Sequence, residues 1–296
     1  MLKRTLSLAL VFSLFALCLV GCDGGLDQKH TDGRISDDGV YYILNEAGDG
    51  YLVSGVSDNL LADTEGVLSL PSQVREKPVL GVADRAFEGC EALTWIALPT
   101  TAKTVGAYAF SGCSALSSFL GSLSELESIG AYAFENCTSL NTVSGLDALK
   151  SIGEGAFWGC TSLTRLYLPD GVTTVEKWLC AGCTALTSVT LSQAVTTIKM
   201  GAFDGCSSLE NFTLPSGVSR IPAEMMKDCV KLRKLIISGN SLTYIDFGAF
   251  ENCYNLVSIS FYNGTAASWY SIYKGVNWDK GTGSYAVYCS NGTVYK

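Results

Sequence analysis

The sequence predicts an α/β repeat protein: a solenoid of stacked coils, each contributing one short strand to a parallel sheet, with hairpin caps at both ends. Three observations support this fold class. One cysteine recurs every 23 or 24 residues, apolar residues keep fixed distances from it, and turn-rich hairpin sequences flank the repeats. With 48% hydrophobic residues in 296, the chain can bury a large core, so a disordered chain is excluded.

The repeat is defined by eight cysteines, here called the ladder cysteines, and each coil is numbered by its ladder cysteine. A leucine stands three residues after every one of them, and valine or isoleucine stands eight residues before. The ladder cysteines are Cys90, Cys113, Cys137, Cys160, Cys183, Cys206, Cys229 and Cys253. A period of 20 to 29 residues with fixed apolar positions is typical of a leucine-rich solenoid.

The sequence of each repeat also predicts the local structure of its coil. Segments such as Leu163-x-x-Leu166-x-Leu168 alternate with period two, which is typical of a strand with one buried face. Gly, Asn or Asp directly precedes every ladder cysteine, so we expect a left-handed backbone there, closing a one-turn helix that carries Ala-Phe.

The repeated motif Ala-Phe-x-x-Cys-x-x-Leu-x-x-Ile-x-Leu-Pro, as in residues 86–99, resembles the BspA-like bacterial leucine-rich-repeat family. The resemblance covers roughly Val67 to Phe261. Leu179-Cys180 and Met225-Met226 replace Ala-Phe in two coils. The second and third coils lack the Leu-Pro end, at Gly121 and Gly145, so we expect less regular connections there.

The N-terminus resembles a lipoprotein export signal. Lys3 and Arg4 precede an apolar run from Leu6 to Leu17, too short to span a bilayer, and Leu19-Val20-Gly21-Cys22 resembles the bacterial lipobox. That resemblance implies that Cys22 is the lipid-anchor residue of a protein held on a bacterial membrane and exposed at the surface. An ordinary signal peptide with a chance cysteine is the alternative.

The resulting domain organisation has five parts. We expect a signal peptide over residues 1–21, a flexible tether over 22–38, an N-terminal capping hairpin over 39–66, the solenoid over 67–261 and a C-terminal cap over 262–296. Trp269 and Trp278 are interpreted as buried residues of the second cap, with a sugar-stacking role as the alternative. In the cap, Asn291-Gly292 suits a hairpin turn.

The ladder cysteines are predicted to be buried free thiols. Adjacent strands lie about 4.8 Å apart, wider than the Cβ separation of about 3.8 Å in a disulfide. Cys180 and Cys183 mimic a redox motif, but Cys180 occupies the phenylalanine position of its coil, which favours a structural role.

Composition excludes several functions. A net charge of −8 argues against nucleic-acid binding, and the single histidine, His30, removes most histidine-based catalytic and zinc sites. No catalytic or phosphate-binding motif is present. We therefore expect no enzyme activity, no cofactor and no metal; an enzyme acting on glycans through Trp269 and Trp278 is a distant alternative.

Function is predicted to lie on the strand face, the side chains five and seven residues after each ladder cysteine, which point away from the buried leucines. Most are small and polar, whereas aromatic, aliphatic and basic residues are typical binding anchors. The candidate ligand-binding residues are Trp95, Leu120, Arg165, Tyr167, Lys234 and Ile236. The family resemblance implies a surface adhesion module for a host or neighbouring-cell protein or glycan; a structural envelope-associated module without a ligand is the alternative.

Overall fold

The computed structural model describes residues 35–120 and 123–296. Its N-terminal region begins with a small antiparallel sheet. Its elements are β1 (Ile35–Asp37), β2 (Val40–Leu44), β3 (Tyr51–Val56), α1 (Asp58–Asp63), β4 (Val67–Ser69), β5 (Gln73–Val74) and β6 (Lys77–Val82). β2 pairs antiparallel with β3, and β3 pairs parallel with β6. The hairpin therefore leads directly into the first coil. α1 begins after Ser57, whose side chain accepts a hydrogen bond from the Leu60 amide.

The body of the molecule is a solenoid of parallel strands, as the sequence predicts, but most coils carry two strands instead of one. The first lies just after the ladder leucine, and the second, of two residues, ends at the valine or isoleucine eight residues before the next ladder cysteine. The strands are β7 (Trp95–Ala97), β8 (Thr104–Val105), β9 (Ser118–Leu120), β10 (Ser128–Ile129), β11 (Ser151–Ile152), β12 (Arg165–Leu168), β13 (Thr174–Val175), β14 (Ser188–Leu191), β15 (Thr197–Ile198), β16 (Asn211–Leu214), β17 (Arg220–Ile221), β18 (Lys234–Ile237), β19 (Tyr244–Ile245) and β20 (Ser258–Phe261). The second row was missed because two residues are too few to show a period.

The turn segments, defined as each ladder cysteine and the six residues before it, contain turns and not the expected one-turn helix. The predicted left-handed backbone before every ladder cysteine is confirmed, from Gly89 at φ +71° to Asn252 at +62°. A second left-handed residue stands five positions before each one, for example Tyr108 at +55°.

The turn segments do not form helices because their amides hydrogen-bond to the neighbouring coil. Alternate amides of a turn segment donate to the next coil: Arg85 N to Ala107 O, Phe87 N to Ala109 O, and Gly89 N to Ser111 O, at 2.7 to 2.9 Å. Amides committed to a neighbouring coil cannot form the internal ladder of an α-helix.

The ladder cysteines lie in the interior, and from Cys113 to Cys253 they are free thiols, as predicted. Each of these thiols donates to a carbonyl of the preceding coil, Cys113 Sγ to Phe87 O at 2.9 Å and Cys206 Sγ to Cys180 O at 3.2 Å being the extremes. Burial raises the pKa of Cys229 well above its usual value and that of Cys253 to about 12. Cys90 is buried but disulfide-bonded, so the free-thiol prediction is wrong at that position.

Phenylalanine rings form a second interior row beside the thiols. Phe87, Phe110, Phe134 and Phe157 stack face to face, with successive ring centroids 5.1, 5.3 and 5.4 Å apart. Cys180, buried and free, ends this stack at the position that phenylalanine holds in the four preceding coils. The burial of Cys180 and its place at the end of the ring stack support a structural role for the Cys180–Cys183 pair.

The C-terminal end consists of α2 (Ala266–Ser271), β21 (Tyr273–Lys274), β22 (Ala286–Cys289) and β23 (Gly292–Tyr295). β22 extends the sheet of β16, β18 and β20, and β23 pairs antiparallel with it. The hairpin is as predicted, but its two loop residues are Ser290 and Asn291, one position earlier than expected. Trp269 is buried and Trp278 half-buried, with ring centroids 6.1 Å apart.

Within the described residues, no helix is long and apolar enough to cross a membrane. The same residues contain no group of three or more His, Cys, Asp or Glu side chains that could hold a metal ion.

Candidate binding site on the strand face

The strand face alternates between buried and exposed side chains, as the period-two pattern predicts. In β12, Leu166 and Leu168 are buried while Arg165 and Tyr167 are exposed, Tyr167 at 47%. Ser260 is an exception, since it is buried although its position predicts exposure. It lies in register between Ile236 and Tyr288, whose larger side chains flank it.

The third coil interrupts this face. No strand forms over residues 141–146, which the structure describes in full, and Gly145 is left-handed at φ +75°. In the coils with regular strands this position carries a buried residue such as Leu168 or Leu214. Glycine supplies no side chain to the interior that could anchor the end of a strand there, but the second coil also has glycine at this position, Gly121, and still forms β9, so glycine alone does not account for the missing strand. This agrees with the less regular connection expected at Gly145.

The interruption removes strand pairing between the third coil and β12, although the Thr164 amide directly before β12 still donates to Asn141 O at 3.1 Å. Gly145 packs toward the second coil, since a Cβ on it would lie 3.4 Å from the Leu123 nitrogen. Among the described residues, β12 pairs with β14 alone, so its other edge faces the third coil without a strand partner.

An open cavity of about 470 Å³ lies between the third coil and β12. Residues 142–146 form one wall, Arg165, Leu166 and Tyr167 the centre, and Thr187, Ser188 and Thr190 the other wall. The volume lies within the range of about 300–1,000 Å³ typical of ligand pockets. The sequence analysis identified Arg165 and Tyr167 from their residue types. The structure places both beside a cavity that the sequence analysis did not predict.

The chemistry of the cavity is that of a binding site. Within the described residues Arg165 forms no ion pair, so its guanidinium can donate a two-pronged hydrogen bond to a carboxylate, sulfate or phosphate. Tyr167 offers an exposed ring, and Thr142, Ser144 and Ser188 add hydroxyl groups.

The other candidates lie along the same face but do not join this cavity. Trp95, 38% exposed on β7, lies three coils before Arg165, and Lys234 on β18 lies three coils after it. At the strand spacing, three coils correspond to roughly 14 Å. Lys234 and Ile236 are half-buried. Leu120 ends β9, but its side chain lies outside the described residues, as does Cys22.

Comparison with known proteins identifies the family. The model of the BspA type leucine rich repeat region matches residues 80–188 and 179–277, in six copies. The chain belongs to this family. The resemblance inferred from the Ala-Phe and cysteine motif is thereby confirmed, and the family fold is consistent with a binding or structural repeat role. No curated protein matches the chain.

Solved structures show the same fold. A leucine rich cell surface protein from Faecalibacterium prausnitzii A2-165 is 24% identical with a TM-score of 0.66, over 82% of this chain and 72% of that one. A leucine-rich repeat protein from Bacteroides ovatus ATCC 8483 is 25% identical with a TM-score of 0.68, over 84% and 69%. The T. pallidum leucine rich repeat protein is 28% identical with a TM-score of 0.53, over 75% and 90%.

A second group of aromatic side chains, of which Trp158 is exposed and the other three are half-buried, was missed by the sequence analysis. Tyr108, Tyr132, Trp158 and Trp178 lie along the outside of the turn segments, with neighbouring ring centroids 5.1 to 6.1 Å apart. The available signal was the run of large aromatic residues two or five positions before the second to fifth ladder cysteines.

Proposed function

We propose that this protein is a lipid-anchored, surface-exposed binding module that recognises a protein or glycan through the strand face, centred on the cavity beside Arg165 and Tyr167. The observation that carries the proposal is a guanidinium that has no ion-pair partner among the described residues and lies next to an exposed tyrosine, at the point where the sheet is interrupted. Arginine and tyrosine are enriched among the residues that dominate binding energy.

The chemistry favours a ligand with an acidic group. A carboxylate or sulfate would accept from Arg165, a flat apolar group or sugar ring would pack on Tyr167, and the hydroxyl groups of the walls would satisfy the remaining polar atoms. Trp95 and Lys234 would extend the contact of a ligand long enough to span several coils.

Anchoring at the membrane is part of the proposal. It is supported by the lipobox-like sequence ending in Cys22, and the similar F. prausnitzii protein is described as a cell surface protein. Partition of the expressed chain into the detergent phase, lost on Cys22→Ser, is the expected result. Equal partition of both forms would contradict lipidation at Cys22.

The binding experiment uses the full chain in non-ionic detergent against panels of matrix proteins and of neutral and acidic glycans. A double variant, Arg165→Ala with Tyr167→Ala, is expected to weaken binding about tenfold or more, because residues of these types cost over 1 kcal/mol each when truncated at the centre of an interface.

The matched control is Asn211→Ala with Thr213→Ala, which alters the equivalent two positions of β16 on the same face. It is expected to leave affinity unchanged. Equal losses in the two double variants would contradict a site at the cavity. No binding to any panel member would favour the alternative, a structural repeat module without a dedicated ligand.

A further inference from the structure

The outer aromatic row, defined as Tyr108, Tyr132, Trp158 and Trp178, follows four consecutive coils. Tyr108 and Tyr132 stack at 5.1 Å with their planes 14° apart, whereas Trp158 is tilted by 46° from Tyr132 and by 34° from Trp178. Because it is tilted, Trp158 does not stack face to face with either neighbour, and it is 42% exposed. Trp158 is therefore the ring of this row most open to a partner.

Three residues of the row have an unfavourable backbone conformation. Tyr108, Tyr132 and Trp178 occupy the left-handed position five residues before a ladder cysteine, where Gly155 and Gly201 stand in other coils. A left-handed backbone is unfavourable for any residue with a Cβ and free for glycine. The backbone therefore does not by itself favour these three aromatic residues, although Arg85 and Glu224 hold the same position in other coils and Trp158 lies outside it.

The turn segments as a whole are acidic, and in the four coils of the row they carry two acidic residues, Glu135 and Glu154, and one basic residue, Lys177. The eight turn segments contain eight acidic and three basic residues. The acidic residues are Asp84, Glu88, Glu135, Glu154, Asp204, Glu224, Asp228 and Glu251, and the basic residues are Arg85, Lys177 and Lys227. An excess of one charge along such a surface attracts a partner of opposite charge.

Two of the carboxylates lie directly beside the rings. Glu154 accepts a hydrogen bond from the Tyr132 hydroxyl at 2.7 Å, and Glu135 accepts one from Ser111 at 3.1 Å. Burial and then Glu154 raise the pKa of Tyr132 to about 12, with a smaller contribution from Glu135. Neither glutamate forms an ion pair within the described part of the chain.

The row already holds one cation. The Arg85 guanidinium lies 4.4 Å from the centroid of the Tyr108 ring and is held there by Glu88 at 2.7 Å. A cation over an aromatic face, flanked by a carboxylate, is a stabilising arrangement. At the middle of the row the same components, an exposed ring and carboxylates, are present, and no cation from the described part of the chain lies over the Trp158 ring.

We propose that the outer aromatic row is a second binding site, which takes a basic segment of a partner protein by placing a lysine or arginine side chain over Trp158, between Glu135 and Glu154. Charge complementarity selects this occupant. A neutral glycan would use the ring faces but would leave the two carboxylates without a counter-charge.

The probe is a nine-residue peptide of alternating lysine and glycine with blocked ends, titrated calorimetrically into the full chain in non-ionic detergent. Matched probes are the same peptide with glutamate for lysine and a neutral hexasaccharide. We expect only the lysine peptide to bind, with an affinity that falls as salt is raised, because the contact is partly electrostatic.

Trp158→Ala is the decisive variant. It introduces the residue that the fifth coil carries at the equivalent position, Ala181, so the fold accommodates it. Loss of one cation–ring contact is expected to raise the Kd about threefold to tenfold. Trp95→Ala on the strand face is expected to leave the Kd of the lysine peptide unchanged, which separates this site from the one proposed above.

The carboxylates are tested by Glu135→Gln against Glu251→Gln. Both residues stand two positions before a ladder cysteine, but Glu251 is paired with Lys280 at 3.0 Å and lies outside the row. Only Glu135→Gln is expected to weaken binding. Equal losses in the two variants, unchanged affinity in Trp158→Ala, or binding of the hexasaccharide in place of the lysine peptide would each overturn the proposal.

Discussion

The turn segments carry two rows of aromatic rings, an inner row from the first to the fourth coil and an outer row from the second to the fifth, and the rows differ in how regularly their rings are arranged. Inside, Phe87, Phe110, Phe134 and Phe157 stack with planes 2° to 10° apart. Outside, the planes of the outer aromatic row differ by 14° to 46°. The inner rings come from one repeat position and are related by the translation from coil to coil. The outer rings come from two positions and obey no such relation.

The difference indicates which residues serve the fold and which are free to serve recognition. A solenoid is stabilised by contacts between neighbouring coils, so its interior must repeat. Residues outside the interior escape this requirement. The strand face shows the same contrast, because the cavity beside Arg165 exists where Gly145 departs from the repeat.

The largest expected effect separates the two rows directly. Phe134 is buried between Phe110 and Phe157 and also meets the edge of the Phe119 ring at 5.4 Å. Replacing it with alanine leaves a cavity, so Phe134→Ala is expected to lower the free energy of unfolding by about 3–5 kcal/mol. Urea denaturation followed by circular dichroism measures the change.

Trp158→Ala is the control for that measurement, because it removes a larger ring that lies outside the core. We expect it to cost less than about 1 kcal/mol, since an exposed side chain leaves no cavity. Similar costs for the two variants would contradict the assignment of stability to the inner row.

An intermediate effect is expected at Asp204, which stands at the position of Trp158 two coils later and is half-buried. Burial, opposed by Lys227 and assisted by Asp228 and Glu224, raises its pKa to about 6. Because folding favours the protonated acid, ionisation lowers stability as the pH rises from about 4 to 6 and leaves it unaffected below that window. After allowance for partial exposure, the cost at neutral pH is about 1 kcal/mol.

Asp204→Asn is therefore expected to raise the Tm at pH 7.5 and to leave it nearly unchanged at pH 4. Asp147→Asn, at an exposed carboxylate, is the matched control and is expected to change neither. A gain that is equal at both pH values would show that the effect of Asp204→Asn does not come from its ionisation.

The sequence predicted the structural features that recur in every coil. The period, the buried leucines and the left-handed residue before each ladder cysteine follow from positions that recur, as Gly89 and Asn252 illustrate, and both hairpins follow from the turn-rich sequences that flank the repeats. The second left-handed position could not be predicted in this way, because Arg85, Tyr108 and Glu224 are residue types that give no sign of it. It arises from hydrogen bonds between coils, which no single coil encodes.

The candidate site was only half predictable for the same reason. Residue type and strand alternation identified Arg165 and Tyr167. The cavity depends on how the third coil packs when Gly145 removes the interior side chain, which is a property of the stack. The outer aromatic row was missed because its members belong to no single repeat position.

The smallest expected effect tests whether the outer row is maintained against the preference of the backbone. In Tyr132→Gly, relief of the left-handed conformation gains about 1–2 kcal/mol, while loss of ring stacking, of chain rigidity and of the hydrogen bond to Glu154 costs about 0.5–1.5, 0.5–1 and 0.5–1.5 kcal/mol. We expect a net loss of about 1 kcal/mol in urea denaturation.

Two comparisons isolate the backbone contribution. Tyr132→Ala removes the same ring but keeps a Cβ in the left-handed position, so it is expected to be about 1 kcal/mol less stable than Tyr132→Gly. Gly201→Ala introduces a Cβ at φ +64°, only 2.4 Å from Cδ1 of Trp178, and should destabilise the fold. If Tyr132→Gly were as costly as Phe134→Ala, the outer ring would be a core residue, and its exposure would need no explanation by binding.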